Sequence, residues 1–178
     1  MIETPRLILR QWLDSDRAPF AALNADSQVM EFMPNRLTRD ESDALVDRIQ
    51  ADFKQHGFGL FAAELRETGE FLGFVGLAVP RFAAHFTPSV EIGWRLASRH
   101  WGKGYATEGA LAAARHAFDD LGLDALVSFT ASRNIRSRRV MEKIGMTHDD
   151  RDDFDHPSLE ARHPLRRHVL YRLSKKLV

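Results

Sequence analysis

Cysteine is missing from the 178 residues of this chain. Its absence excludes a disulfide framework, a thiol nucleophile and any metal site built on thiolates, and it is compatible with a reducing compartment. An excess of charge of either sign is missing too. The 25 Lys and Arg residues balance 25 Asp and Glu, so there is no bulk electrostatic case for nucleic acid or an anionic membrane as partner. No apolar run approaches the roughly 20 residues needed to span a bilayer, and Met1 to Arg10 is charged and alternating where a secretory leader would carry an apolar stretch. A soluble, cytoplasmic protein is the expectation. Repeats, low-complexity tracts and Pro/Ser-rich linkers are also lacking, so we expect one domain over residues 1–178, long enough to bury a substantial core.

What is present centres on Arg99-His100-Trp101-Gly102-Lys103-Gly104-Tyr105-Ala106, followed by a helical run from Thr107. Two glycines one residue apart permit positive φ and let a ligand approach the backbone with no Cβ in the way. The first N–H groups of the helix have no intrahelical partners and add partial positive charge at the same place, so loop and helix start form a phosphate cradle. The spacing is not that of a Walker A loop, which needs Gly-x-x-x-x-Gly-Lys-Ser/Thr. It is not a dinucleotide fingerprint either, because Thr107 stands where the third glycine belongs. By itself so short a string also fits a basic, glycine-containing turn ahead of a helix.

Along the chain, Arg6 to Leu13 alternates, with Leu7, Leu9 and Leu13 on one side and Ile8, Arg10 and Trp12 on the other, which predicts a first strand. Asp14 to Asp16 offer N-caps for a short helix carrying Phe20 and Leu23, and a second short helical piece is expected before Pro34. Thr38-x-x-Glu41 is a capping box, after which Leu45, Ile49 and Phe53 step along a helix that Gly57 ends. Leu60 to Leu65 and Phe71 to Pro80 read as a hairpin across residues 66–70. Arg81 to Thr87 is an irregular aromatic loop, and Ser89 to Leu96 is a strand running into the glycine loop. Leu111, Ala114, Phe118 and Leu121 mark the buried face of the next helix, which closes at Gly122, and Ala125 to Ala131 is a buried strand.

That strand-loop-helix-strand unit, with hairpins before it, predicts a mixed sheet with a parallel pair at its centre. Ligands of such sheets bind outside the carboxyl ends of the strands, where the glycine loop lies. Asn134 then caps a helix over Ile135 to Ile144, closed by Gly145, whose inward face carries Val140, Met141, Ile144 and the hydroxyl of Ser137. Arg167 to Ser174 alternates as a final strand, preceded by a polar stretch expected to form a short strand and a long loop.

With these elements placed, the chain resembles the GNAT acyltransferases, in particular their RimJ/RimL-like group, which includes ribosomal-protein N-terminal acetyltransferases. The likeness covers nearly the whole chain. It rests on Thr4-Pro5-Arg6-Leu7-Ile8-Leu9-Arg10, on Glu91-Ile92-Gly93-Trp94, on Arg99-x-x-Gly102-x-Gly104 within Trp101 to Glu108, on Asn134-x-x-Ser137 and on Glu142-Lys143-Ile144-Gly145-Met146. The resemblance implies a mixed, mostly antiparallel twisted α/β sheet of about seven strands with a splayed central parallel pair and about four helices. It also implies acetyl-CoA or another acyl-CoA as co-substrate, a primary amine such as a protein N-terminus as acceptor, no metal, and a monomer or homodimer. The pantetheine arm would lie along Glu91 to Leu96, touching Trp94, Arg95 and Leu96. The diphosphate would sit on the amides of Arg99, His100, Trp101, Gly102, Lys103, Gly104, Tyr105 and Ala106. Charge points the same way, since Arg95, Arg99, His100 and Lys103 cluster in an otherwise neutral chain. The two early helices would form one wall of the acceptor cleft.

In this family an amine attacks the thioester directly within a ternary complex. Glu91 is the candidate base, acting through a water, with an ion-paired strand carboxylate as the alternative. Ser137 is placed by the resemblance at the CoA sulfur, with a helix hydroxyl bonded to a backbone carbonyl as the alternative. Asn134 caps its helix, binds pantetheine, or does both. Tyr105 reads as a packing residue, and Trp94 and Trp101 as core or cofactor-wall aromatics. His148, His156, His163 and His168 lie among aspartates without metal-ligand spacing, and His156 either lines the acceptor site or sits in a solvated loop. A succinyl donor, a small-molecule amine acceptor, and a CoA-binding module without turnover stay open. The presence of both Glu91 and Ser137 favours an enzyme.

Overall fold

The computed structural model describes residues 1–175. Its first strands, β1 (Ile2–Glu3) and β2 (Leu7–Arg10), pair antiparallel, with Leu7 and Leu9 fully buried. The alternation does not continue to Leu13 as expected. Trp12 turns into the core and its indole N–H donates to the Leu60 carbonyl at 2.7 Å, while Leu13 is 51% exposed. A 3₁₀ turn at Asp14–Asp16 follows, held by an ion pair of 2.7 Å between Arg10 and the buried Asp16, and α1 (Arg17–Ala25) begins at once. The helical piece expected before Pro34 does not form, because residues 27–35 run as successive turns and bends.

The capping box is realised. The Glu41 carboxylate accepts from the Thr38 N–H at 2.8 Å, the Glu41 N–H donates to the Thr38 hydroxyl at 3.3 Å, and α2 (Arg39–His56) ends at Gly57 with φ 77°. Next come the hairpin of β3 (Leu60–Leu65) and β4 (Phe71–Ala78), then β5 (Glu91–Leu96), which starts two residues later than expected. α3 (Tyr105–Arg115) relaxes into a wider turn over residues 116–120 and stops at Gly122, and β6 (Ala125–Ala131) and α4 (Ile135–Lys143) complete the central unit. The short β7 (Thr147–His148) and β8 (Phe154–Asp155) both pair with the last strand, β9 (Arg167–Ser174).

These strands form one mixed α/β sheet in the order β1-β2-β3-β4-β5-β6-β9-β7, with β8 also on β9. Among the described residues there are nine strands rather than about seven: the short strand expected after Met146 is β7, and the two additions, β1 and β8, have two residues each, too few to show a period of two. All pairs are antiparallel except β5 with β6, where Glu91 and Val127 are the single registered pair. Beyond them the two strands part, which opens a gap toward their carboxyl ends.

Side-chain alternation gives the sheet two unlike faces. Leu72, Val75, Ile92 and Leu96 pack against Ala110, Ala113 and Ala114 of α3 and Phe118 of the wider turn that follows it. Small residues let that helix close on the sheet, and a Cβ at Gly109 would lie 3.2 Å from Val75. Trp12, Phe20, Val46, Ile49, Phe71 and Phe74 join α1 and α2 to the opposite face. On that same face, past the gap, Phe86, Phe154 and Leu170 cluster with Val127. None of the helices among the described residues is long and apolar enough to cross a membrane.

Candidate active site

A cavity of about 700 Å³ fills the gap between β5 and β6. The glycine loop closes one end. Gly102 and Gly104 take φ 74° and 84°, conformations that L side chains rarely adopt, and Gly104 is the N-cap of α3. The helix starts at Tyr105, two residues earlier than expected, and its first bond runs from the Glu108 N–H to the Gly104 carbonyl at 3.0 Å. The amides of Tyr105, Ala106 and Thr107 are therefore uncommitted by the helix, and all three residues line the cavity.

Arg6 braces this loop from outside. It donates through Nε to Glu108 at 2.6 Å and through Nη1 to the Lys103 carbonyl at 2.9 Å, and its guanidinium lies 4.7 Å from the Tyr105 ring. Sequence reasoning missed that role for Arg6 and Glu108, although both lie within motifs already singled out. Tyr105 packs as expected. Trp101 donates its indole N–H to the Leu96 carbonyl at 2.8 Å, and Arg136 of α4 covers its ring at 4.6 Å.

The four cations expected as a cluster are divided. Arg99 and His100 converge on Glu70, at 3.1 and 3.2 Å, and Lys103 is exposed beside them. Burial pushes the His100 imidazole below its usual pKa, and its Nδ1 has no partner among the described residues. Arg95 lies on the other face of the sheet, where its Nη1 donates to the Asn24 side-chain oxygen at 2.7 Å. Trp94 and Leu96, its neighbours on β5, point instead toward the α3 face.

Glu91 opens β5 beside the point where the sheet parts. Its carboxyl makes no hydrogen bond or ion pair with the described residues, and burial alone raises its pKa to about 8. One carboxyl oxygen lies 3.7 Å from where a Cβ on Gly93 would be, so the group hangs over that glycine beside the gap. Across the gap, the Ser137 N–H donates to the Asn134 side-chain oxygen at 3.2 Å, and the Asn134 amide donates to the Thr130 hydroxyl at 2.9 Å. The capping role of Asn134 is thus seen directly. Ser137 lines the cavity, and its hydroxyl is bonded to no carbonyl among the described residues. The other tyrosine, Tyr171, is held elsewhere, donating to Glu142 at 3.0 Å.

Residues 6–147 match the family model for the acetyltransferase (GNAT) domain. The chain belongs to the GNAT acetyltransferase family. It is 37% identical to the uncharacterized protein YkkB of Bacillus subtilis, over 80% of this chain and 83% of that one. It is 30% identical to the uncharacterized N-acetyltransferase YnaD of the same organism, over 82% and 81%. Its fold is similar to that of Mycobacterium smegmatis RimJ in complex with CoA-disulfide, with a TM-score of 0.76 at 22% identity, covering 96% of this chain and 82% of that one. As a GNAT protein it is an acyltransferase, and the family uses acyl-CoA.

The acceptor side of this GNAT cavity differs from expectation in one respect. Its wall is built by Gln28, Val29, Phe32, Met33 and Pro34 in the turns after α1, while neither α1 nor α2, the two helices expected there, contributes a lining residue. The opposite wall comes from Ser158, Leu159 and Leu165 of the polar stretch, with Phe129 below. His156 is no solvated loop residue. It lines the cavity with its ring 4.6 Å from Phe82 and 5.0 Å from His168, and burial lowers the pKa of both imidazoles. His168, weighed in the sequence only with the other histidines and not expected in the cavity, belongs to the residues of β9 that face away from α3. Its Nδ1 lies 3.1 Å from the Arg166 carbonyl, which assigns the proton to Nδ1 and leaves Nε2 as an acceptor. His148 and His163 are not lining residues: His148 pairs with Asp153 at 2.7 Å and stacks on Tyr171, and His163 accepts from the Leu165 N–H at 3.1 Å.

Proposed function

We propose that the protein is an N-acetyltransferase that moves the acetyl group of acetyl-CoA to a primary amine by direct attack within a ternary complex. What carries this reading is the unpaired Glu91 carboxyl at the point where β5 and β6 separate, with uncommitted amides of α3 at the far end of the same cavity. The N–H groups of His100 and Trp101 already donate to the Ala97 and Ser98 carbonyls, so the amides of Gly102 to Ala106 hold the diphosphate, and the pantetheine extends along β5 past Trp94, with Asn134 and Ser137 on the opposite wall. The amine nitrogen attacks the thioester carbonyl carbon, a β5 amide freed by the separation polarises the oxygen, and the carbon–sulfur bond breaks. The amine gives its proton to Glu91 directly or through a water, the Ser137 hydroxyl donates a hydrogen bond to the departing thiolate, and the proton held by Glu91 passes on to the sulfur or to bulk water.

The proton balance favours a weakly basic acceptor. With its pKa near 8, the Glu91 carboxyl is matched to an α-amino group of about 8 and poorly matched to a lysine-like amine of about 10. A protein N-terminus or another α-amine therefore suits the site better than an internal lysine or a polyamine. The test is release of free CoA thiol from acetyl-CoA across a panel of amines, with calorimetry of acetyl-CoA binding alongside. Binding with amine-dependent thiol release supports the reading. Binding without release under any amine would leave a CoA-binding module, and no binding would remove the reading altogether.

A further inference from the structure

Arg95 is an oddity in this cavity. It sits on the central strand four residues after Glu91 and on the same face, and it lines the cavity beside Phe74 and Met33. A guanidinium has five N–H donors. One meets the Asn24 oxygen at 2.7 Å and another the Met33 sulfur at 3.4 Å, while Nε is buried with no partner. No carboxylate among the described residues lies within ion-pairing distance of it, and burial without a counter-charge pulls its pKa down to about 10. Several arginines nearer the surface are paired with a carboxylate, as Arg6, Arg17, Arg81, Arg99 and Arg136 are. This inward one is not.

Its position rules out the cofactor's diphosphate as the natural partner. The glycine loop and the start of α3 belong to the opposite face of the sheet, whereas Arg95 shares its face with α1, whose residue Asn24 holds the guanidinium in place. Asn24 is itself fixed, since its amide donates to the buried Ser42 hydroxyl of α2 at 2.9 Å. The Phe74 ring lies 5.4 Å from the guanidinium carbon, so the group is held from several sides with donors remaining. A planar fork so presented matches two oxygens of a carboxylate.

We propose that Arg95 binds a carboxylate of the acceptor, so that the amine acetylated here belongs to a small amino acid-like molecule that carries an acid group as well as the reacting nitrogen. The remaining walls agree with this class: Phe74, Phe129, Leu159 and Leu165 offer apolar contact, and the turns after α1 close over the end where Arg95 lies. The inference rests on the acyl-transfer reading above but departs from its preference for a weakly basic amine: a free amino acid's nitrogen is more basic than a chain N-terminus, so acid and amide are compared at equal free-amine concentration.

The experiment compares acids with their carboxamides as acceptors. Glycine, β-alanine, 4-aminobutyrate and phenylalanine are each assayed against the corresponding amide with saturating acetyl-CoA. We expect the best acid to exceed its amide by about 30-fold or more in kcat/KM at equal free-amine concentration. In Arg95→Met that ratio should fall toward one, and Arg95→Lys should keep part of it. A ratio near one in the wild type, a ratio unaltered in Arg95→Met, or turnover of peptide N-termini alone would overturn the assignment. Should Arg95→Met fail to fold, binding of N-acetylphenylalanine and its carboxamide to the CoA-saturated wild type decides the matter by calorimetry. A tenfold preference for the acid supports the proposal, and equal affinities overturn it. Normal acetyl-CoA binding with no acid preference would sink this inference alone, whereas absence of acetyl-CoA binding would sink the acyl-transfer reading beneath it.

Discussion

Glu91 and Val127 are the single registered pair between β5 and β6, so the residue that bears the unpaired carboxyl is also the hinge at which the sheet opens. A side chain at that point is taken out of bulk water by the strands behind it yet still borders the cavity. Both properties follow from one feature of the fold. Without the separation of the strands, the Glu91 carboxyl would border no cavity.

Replacing Glu91 by Gln keeps the shape and removes the proposed base. For an acceptor amine that stays neutral from pH 6 to 9, wild-type kcat/KM should rise with pH through a midpoint near 8 and then level off, because the group acts only when deprotonated. Glu91→Gln should lose about 100-fold at the plateau and show no such limb. A rising limb of the same midpoint in the variant would place the ionisation elsewhere.

Stability should carry the opposite dependence. The folded Glu91 holds its proton to about pH 8, whereas the unfolded side chain releases it near 4.5. Between those values the unfolded state is favoured progressively as pH rises, and the cost is constant above them. His156 and His168 act in the other direction, since their lowered pKa values mean that stability rises as pH climbs through the ordinary imidazole range. Urea unfolding of wild type and Glu91→Gln at pH 5 and pH 8.5 separates the two effects. The variant should be more stable relative to wild type at the higher pH, by an amount on the order of a few kcal/mol at most.

Gly104→Ala tests the loop. The residue is held at φ 84°, and its Cβ would lie 3.3 Å from the Arg6 guanidinium, so the substitution disturbs both the backbone and the brace. Gly69, in the β3–β4 turn at φ 71° with open space around it, is the control. Each alanine should cost roughly 1–2 kcal/mol in folding stability. Only Gly104→Ala should weaken acetyl-CoA binding, by about tenfold in calorimetry. Equal affinities for acetyl-CoA in the two variants would remove the loop from the binding site.

Ser137→Ala removes a hydroxyl that no side chain or carbonyl among the described residues engages. Because CoA leaves as a fairly stable thiolate, loss of the hydrogen-bond donor should lower kcat by only about tenfold while leaving the α4 cap intact, since the Asn134 side chain bonds the backbone N–H of residue 137. Ser137→Thr should retain most activity. If Ser137→Ala instead destabilised the protein with kcat unaltered, the hydroxyl would be a structural group.

Local sequence carried a good part of this protein. The capping box at Thr38 and Glu41, the hairpin after Leu60, the glycine loop, and the extents of β6 and β9 are encoded in contiguous residues, because turn chemistry, capping and side-chain period act over a few positions. Glu91, Ser137 and the 99–106 segment could be singled out on that basis and from family resemblance. Trp12 and Leu13 could not be assigned correctly by alternation, since the strand ends at Arg10 and the next turn decides which of them reaches the core.

Arg95 shows the limit most clearly. Read along the chain it is one more cation ahead of a glycine loop; folded, it lies on the opposite face of the sheet from that loop, held by an asparagine 71 residues earlier. His168 enters the cavity only because β9 pairs alongside β6 and sets it opposite Ala131, and the turns at residues 27–35 become a wall only because α1 and α2 set their ends. Sequence determined the elements and the chemistry they bear, since those depend on neighbours in the chain. Which groups share the cavity, and which of them stay without a partner, was decided by the tertiary structure, because burial and charge pairing depend on residues brought together from distant parts of the chain.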